Sequence, residues 1–161
     1  MSDWIETDLA APDFALPADG GTIVTLGTLR GSPIVLYFYP KDDTPGCTVE
    51  AKAFRDHMGR LQQLGAKVVG VSPDDVESHR KFRDKYGLNF PLLADVDHRI
   101  AESYGAWGEK AHNGQRSSGM RRSTFLIDAD GVVRKIWKDV KPAGHAEETI
   151  EALEELLAAR V

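Results

Sequence analysis

Residues 35–50 read V-L-Y-F-Y-P-K-D-D-T-P-G-C-T-V-E, and they decide the fold because they lead from a buried strand into a helix. The run Ile34–Tyr39 is apolar on both faces and rich in β-branched and aromatic residues, which is typical of a strand in the middle of a sheet. Thr44 suits the N-cap of a helix, and Pro45 suits the first helical position, where its missing N–H is not needed. This pattern predicts that Cys47 lies in the first turn of the helix.

Cys47 is the only cysteine among 161 residues, so an internal disulfide framework is excluded. At the start of a helix its thiol faces unpaired N–H groups and the positive end of the helix dipole, and both favour the thiolate. The dipole contributes about 0.3–1 kcal/mol, which is too little for full ionisation at neutral pH, and we therefore expect a nearby cation. The alternative is a buried, inert cysteine, which is the commoner state of a lone cysteine.

The spacing Pro40-x-x-x-Thr44-x-x-Cys47 resembles the active-site motif of the peroxiredoxins, which are thiol peroxidases with a thioredoxin-like fold. The fuller run Y-F-Y-P-K-D-D-T-P-G-C-T-V-E is most similar to the bacterioferritin comigratory protein, or PrxQ, branch. The resemblance extends from A-P-D-F-A-L-P at residues 11–17 to S-T-F-L-I-D at residues 123–128. It implies an enzyme that reduces hydrogen peroxide and organic hydroperoxides through a sulfenic acid on the cysteine.

A thiolate cleaves a peroxide by in-line attack on one oxygen, while the other oxygen leaves with negative charge. We expect the N–H groups of Gly46 and Cys47 to bind the peroxide, because the first N–H groups of a helix have no intrahelical acceptor. The hydroxyl of Thr44 can accept a hydrogen bond from the substrate and donate one to the sulfur or the peroxide. Pro45 is expected to shield the sulfur from water, and Pro40 to fix the approach of the loop through its locked φ.

Two arginines, Arg121 and Arg122, precede a late strand and are candidates for the missing cation. The resemblance to an R-x-T-F pattern assigns Arg122, whose planar donor fork can hold the thiolate and the peroxide together. Arg121 is then interpreted as a solvated neighbour. Glu50 follows Cys47 by three residues, and the resemblance implies that it orients an arginine. A solvated helix glutamate is the alternative.

The chain departs from the resemblance at Lys52, where many PrxQ-type proteins carry a second, resolving cysteine. With Cys47 alone, the sulfenic acid must be reduced by an external thiol (thioredoxin, glutaredoxin or a low-molecular-weight thiol) or pair with Cys47 of another chain. We therefore expect a one-cysteine peroxidase that is a monomer or a weak homodimer. A thioredoxin-like disulfide oxidoreductase is an alternative, but it normally needs C-x-x-C, and the corresponding position is Thr44. A non-catalytic interaction module on the same fold is the third alternative.

The rest of the sequence predicts one thioredoxin-like α/β domain over residues 1–161, with a mixed central sheet, helices on both faces and an N-terminal β-hairpin. The predicted elements are a strand at 22–26, a helical turn at 26–30, the strand 34–39, a helix at 45–64, a parallel strand at 68–72, a helix at 74–86, an edge strand at 90–93, a helix at 99–104, a hairpin at 122–127 and 132–137, and a helix at 146–159. Gly105–Gly119 is predicted to be a long loop. Asp95–His98 is interpreted as a turn with a helix cap, and we expect neither a metal nor a cofactor.

Composition limits the partners of the chain. Hydrophobic residues make up 42% and charged residues 28%, which is ordinary for a globular domain. The formal net charge is −5 and no basic stripe is present, so nucleic-acid binding is not expected. We expect no membrane association, because no apolar run has spanning length and the N-terminus lacks a leader-like pattern. A single cysteine suits a reducing compartment, and we expect a cytoplasmic protein.

Overall fold

The computed structural model of the chain describes residues 4–112 and 115–159, and within these ranges it describes residues 109–112 and 115–117 by their backbone alone. The elements in chain order are β1 (Ala15–Pro17), β2 (Ile23–Thr25), α1 (Leu26–Leu29), β3 (Ile34–Phe38), α2 (Pro45–Asp56), α3 (Met58–Gln63), β4 (Lys67–Ser72), α4 (Val76–Tyr86), β5 (Leu92–Ala94), α5 (Arg99–Tyr104), β6 (Trp107–His112), β7 (Gln115–Met120), β8 (Ser123–Ile127), β9 (Val133–Trp137) and α6 (His145–Ala158).

A five-stranded mixed sheet in the order β5-β4-β3-β8-β9 forms the centre of the fold. Strand β3 pairs in parallel with β4, with Val35 opposite Val68, and in antiparallel with β8, with Val35 opposite Leu126. The parallel strands β3 and β4 are connected through α2 and α3, which is the strand–helix–strand unit that the sequence predicts. All five residues of β3 are buried, as the apolar run predicts for a central strand. The first turn of α2 therefore starts near the middle of the sheet, where the strand ends.

The sheet separates two apolar clusters, and alternate side chains of β3 enter opposite ones. Phe38 belongs to the cluster that contains Tyr104 of α5 and Phe125 of β8. Tyr37 belongs to the other cluster, which contains Phe54 of α2 and residues of α4 and α6. Helices thus cover both faces, and β1 and β2 form the predicted N-terminal hairpin.

The prediction of a single helix over residues 45–64 is wrong, because the helix is interrupted at His57 and the segment forms two helices, α2 and α3. His57 Nδ1 lies 2.8 Å from the carbonyl oxygen of Ala53, which also accepts the His57 N–H at 3.1 Å. The ring is held outside the helix by Glu147, whose carboxylate is 3.0 Å from Nε2. A side chain that shares a carbonyl of the helical ladder is a recognised cause of distortions in a helix.

The prediction of a long loop over Gly105–Gly119 is also wrong, because most of this segment belongs to two antiparallel strands, β6 and β7. The register runs from Trp107 opposite Met120 to His112 opposite Gln115. The sequence of these strands shows no regular alternation of apolar and polar residues, so its periodicity does not predict them. The other predicted elements begin and end within two residues of their predicted bounds. Among the described residues, no helix is long and apolar enough to span a membrane.

Candidate active site

Cys47 is the third residue of α2, and its side chain is 1% exposed within the apolar cluster of Tyr37 and Phe54. Thr44 is the N-cap in extended conformation, and its carbonyl accepts the first helical bond from Thr48 N–H at 2.8 Å. The N–H groups of Gly46 and Cys47 precede this bond and point out of the helix start.

The hydroxyl of Thr44 does not cap the helix, since it donates to the carbonyl of Lys41 at 3.0 Å. Pro40 is half-buried where the chain leaves the sheet, and Pro45 is exposed at the first helical position. The structure therefore brings all three residues of the Pro-Thr-Cys spacing to one strand-to-helix turn.

Arg122 lies just before β8 and brings its guanidinium to the sulfur from the neighbouring strand. Its Nη2 is 3.3 Å from Cys47 Sγ, and its Nη1 is 2.8 Å from Glu50 Oε1. Arg121 instead lies over the ring of Trp4, with its guanidinium carbon 4.7 Å from the ring centroid. The predicted register thus agrees with the geometry, in which Arg122 and not Arg121 faces the thiol.

Glu50 is 1% exposed, which rules out the alternative of a solvated helix glutamate. Burial raises the pKa of Glu50 to about 7, although the charge of Arg122 and the hydrogen bond from it act in the opposite direction. Burial opposes the charge on Arg122 as well, but the neighbouring Glu50 and Cys47 raise its pKa above the usual value. One cation therefore serves two acidic groups in a buried site.

Gly46 allows the guanidinium to approach the helix start. A Cβ atom at this position would lie 3.0 Å from Arg122 Nη2 and 3.5 Å from Pro142 Cγ, so a side chain would push against the arginine. The segment after β9 holds Arg122 from the other side, because Val140 N–H donates to the Arg122 carbonyl at 2.8 Å. The sequence gives no local sign of this contact.

Residues that the sequence analysis missed hold the loop between β3 and α2. The carboxylate of Asp42 accepts hydrogen bonds from Tyr39 Oη at 2.6 Å and Ser78 Oγ at 2.7 Å. His79 is fully buried, with Nδ1 2.7 Å from Asp42 and Nε2 2.9 Å from the carbonyl of Leu93. This buried network fixes the loop that carries Thr44 to α4. The only local signal of this network in the sequence is the pair of aspartates, Asp42 and Asp43, that follows the strand.

The next aspartate, Asp43, is held on the outside of the same loop. Its φ is 58°, in the left-handed region that few non-glycine residues adopt. The carboxylate accepts from Lys85 Nζ at 2.7 Å and from Tyr86 Oη at 2.6 Å. The end of α4 thus restrains the strained residue that directly precedes Thr44.

Asp95 accepts backbone N–H groups of Ile100 and Ala101 at the start of α5, as the interpretation of this segment as a turn with a helix cap predicts. Within the described part of the chain, no group of three or more His, Cys, Asp or Glu side chains is placed to hold a metal ion.

A thiol that faces both a helix start and a partly buried guanidinium, on a mixed sheet covered by helices, has the surroundings of a reactive cysteine and places the chain among the cysteine-dependent enzymes. The model of the AhpC/TSA family matches residues 8–136. Peroxiredoxin Bcp of Bacillus subtilis is 45% identical over 152 residues, covering 94% of this chain and 97% of that protein. Peroxiredoxin Bcp of Escherichia coli K12 is 43% identical over 145 residues, covering 90% and 93%.

Solved structures agree with this assignment. The bacterioferritin comigratory protein of Xanthomonas campestris, described with alkyl peroxide reduction activity, superposes with a TM-score of 0.87 at 40% identity and covers 93% of this chain and 98% of its own. The chain belongs to the AhpC/TSA family as a peroxiredoxin of the Bcp or PrxQ branch. It is therefore a thiol-dependent peroxidase with a thioredoxin-like fold, as the resemblance implies.

One difference from the X. campestris relative concerns the number of cysteines. Two structures of X. campestris peroxiredoxin Q, with TM-scores of 0.88 and 0.87, carry serine at two different cysteine positions. That relative therefore has at least two cysteines, whereas this chain has Cys47 alone.

Proposed function

We propose that the chain is a one-cysteine peroxidase that reduces hydrogen peroxide and organic hydroperoxides. The observation that carries the proposal is the 3.3 Å contact between Arg122 Nη2 and the sulfur of Cys47, the only thiol in the sequence. A guanidinium at this distance stabilises the thiolate and offers a further N–H to the peroxide. Membership of a thiol peroxidase family supports the same chemistry.

In the proposed reaction, a lone pair of the Cys47 thiolate forms an S–O bond while the O–O bond breaks. The departing oxygen leaves with the electron pair, takes up a proton and becomes water or an alcohol. The N–H groups of Gly46 and Cys47, the hydroxyl of Thr44 and the fork of Arg122 align the peroxide and stabilise the departing charge. The product on the enzyme is a sulfenic acid.

The remaining residues of the site support these groups. Pro40 and Pro45 shape the turn and limit water near the sulfur, and the Arg122 fork is oriented by Glu50, which lies 2.8 Å from Nη1. A desolvated site strengthens the electrostatic contacts that act on the thiolate and the peroxide.

The sulfenic acid is proposed to be reduced by external thiols, with thioredoxin, glutaredoxin and low-molecular-weight thiols as the partners. One thiol condenses with the sulfenic acid, releases water and leaves a mixed disulfide. A second thiol then displaces Cys47 and forms a disulfide with the first. The enzyme is proposed to work in the cytoplasm, where thiols are supplied, as a monomer or a weak homodimer.

Mass spectrometry tests the proposal on the intact chain. One equivalent of peroxide should add one oxygen to Cys47, and dithiothreitol should remove it. Excess peroxide should add further oxygens, because no second thiol in the chain traps the sulfenic acid. The Cys47→Ser variant should fold and show no thiol-dependent peroxide consumption. A Cys47–Cys47 disulfide between two chains as the main first product would contradict the proposed route.

A further inference from the structure

The carboxyl group of Glu50 is unlike the other buried carboxylates, because it has too few donors. Buried Asp128 accepts hydrogen bonds from the N–H groups of Asp130 and Val132 and from Arg134. Burial opposes its ionisation, but these donors outweigh burial and hold the pKa of Asp128 below its usual value. Glu50 is equally buried, and its only hydrogen bond within the described residues comes from Arg122 Nη1 to Oε1.

The second carboxyl oxygen of Glu50 lacks a hydrogen-bond donor altogether within the described ranges. Oε2 has no hydrogen-bond partner among the described residues, and neither does the buried phenol oxygen of Tyr37 on β3. A buried carboxylate without donors is costly, whereas a neutral carboxyl group tolerates such a site much better. The surroundings of Glu50 therefore favour the protonated form.

The charges around Glu50 also favour its protonated form. Arg122 is the cation that contacts it, and the same guanidinium contacts Cys47 at 3.3 Å. Tyr37 stays a neutral phenol, because burial and the neighbouring Glu50 and Cys47 raise its pKa well above the usual value. His145 of α6 is also driven towards its neutral form, since burial lowers its pKa, and the charge of Arg122 acts in the same direction. One positive charge thus compensates one of two acids, and ionising both leaves a buried negative charge.

We propose that Glu50 holds a proton while Cys47 is a thiolate, and that it gives up this proton when the sulfur is oxidised. This inference rests on the proposed peroxidase function and extends it. When the thiolate becomes a neutral sulfenic acid, Arg122 loses one anionic partner and stabilises an ionised Glu50 instead. The buried group then carries the same net charge before and after the reaction.

The proton balance of the step follows directly. The Cys47 thiolate, the peroxide and protonated Glu50 become sulfenic acid, water or alcohol, and ionised Glu50. The departing oxygen needs one proton, and Glu50 releases one, so no net proton is taken up from the solvent. Glu50 acts here through Arg122 and the shared charge, which makes it a positioning residue that also stores the proton.

The experiment counts protons during a single turnover. The reduced protein is mixed with one equivalent of hydrogen peroxide in weak buffer with a pH indicator, at a pH below 7. The fraction of Cys47 that is thiolate at that pH is measured by its ultraviolet absorbance, so that each proton count refers to the thiolate. Wild-type protein should take up almost no proton for each sulfur oxidised. Glu50→Gln keeps an oxygen for Arg122 but has no proton to release, and it should take up one. Glu154→Gln makes the same change on α6, where Glu154 is half-exposed and 3.4 Å from Arg60, and should behave like wild type.

Each outcome decides the inference. Uptake of one proton by wild type as well, or uptake of none by Glu50→Gln, would overturn it. Infrared difference spectra of the wild type give a second measurement that needs no variant at Glu50. The C=O stretch of a protonated carboxyl should disappear on oxidation, and its persistence or absence from the start would also overturn the inference. Mass spectrometry of the same samples reports sulfenic acid formation separately, so a failure of the peroxidase proposal is recognised as such.

Discussion

Replacing Arg122 with lysine should slow the oxidation of Cys47 while leaving the fold intact. The arginine uses two nitrogens at once, Nη2 at 3.3 Å from the sulfur and Nη1 at 2.8 Å from Glu50. A single ammonium group cannot occupy both positions, so one contact is lost even though the charge remains. A hydrogen bond to a charged group contributes about 1.5–3 kcal/mol, and each 1.4 kcal/mol changes a rate tenfold. We therefore expect a loss of roughly ten- to 150-fold in the rate.

The rate is measured by mixing reduced protein with peroxide, quenching with acid at successive times and determining the fraction of oxidised Cys47 by mass. Arg121→Lys is the matched control, because it makes the same change one residue away. Arg121 contacts Trp4 at 4.7 Å rather than the sulfur, and its replacement should leave the rate within about twofold. A normal rate in Arg122→Lys, or a large loss in Arg121→Lys, would refute the reasoning.

Three further predictions concern stability and the role of Lys52. Burial raises the pKa of Glu50 to about 7 from 4.5, so the folded protein keeps a proton that the unfolded chain releases. The free energy of unfolding should therefore fall by up to about 3 kcal/mol as the pH rises through this range. Urea titrations of Glu50→Gln should show a flatter pH dependence than those of the wild type. Gly70→Ala should lower the free energy of unfolding by about 1–3 kcal/mol, because its Cβ would lie 2.9 Å from Tyr37 Cζ, and an unchanged urea midpoint would contradict this clash. Lys52→Cys should form a disulfide with Cys47 after peroxide, resist over-oxidation and lose helical circular dichroism; continued over-oxidation would show that α2 does not unwind.

The sequence predicted the parts of the site that depend on neighbouring residues. The strand, the proline at the first helical position and the placement of Cys47 all follow from side-chain preferences within a dozen residues. The position of Arg122 lies 75 residues beyond the cysteine, and only the resemblance to a known motif connected the two. Local physics alone left Arg121 and Arg122 undecided.

The parts that could not be predicted depend on contacts between distant segments. The network of Asp42 with His79 joins residues 37 positions apart, and the pattern of α4 reveals only that it is a helix. The helix is interrupted at His57, whose ring contacts the carboxylate of Glu147 from the distant helix α6. The hairpin of β6 and β7 was missed because its polar strands carry no hydrophobic alternation.

The packing of α2 limits how Cys47 can be reached by a second thiol. Phe54 is fully buried and stacks on Tyr37 with ring centroids 4.9 Å apart. Glu50 is tied to Arg122 at 2.8 Å, so two tertiary contacts hold the turns that follow the sulfur. A partner thiol at position 52 would start about 7.5 Å along the helix from Cys47, and joining them requires these turns to unwind. Reaction with an external thiol requires less unwinding of α2, because only the first turn must open to expose the sulfur. The ends of a helix open at a lower free energy than its packed turns. The tertiary contacts of α2 therefore support the proposed reduction by an external thiol, and the disulfide predicted for Lys52→Cys can form only when these contacts break.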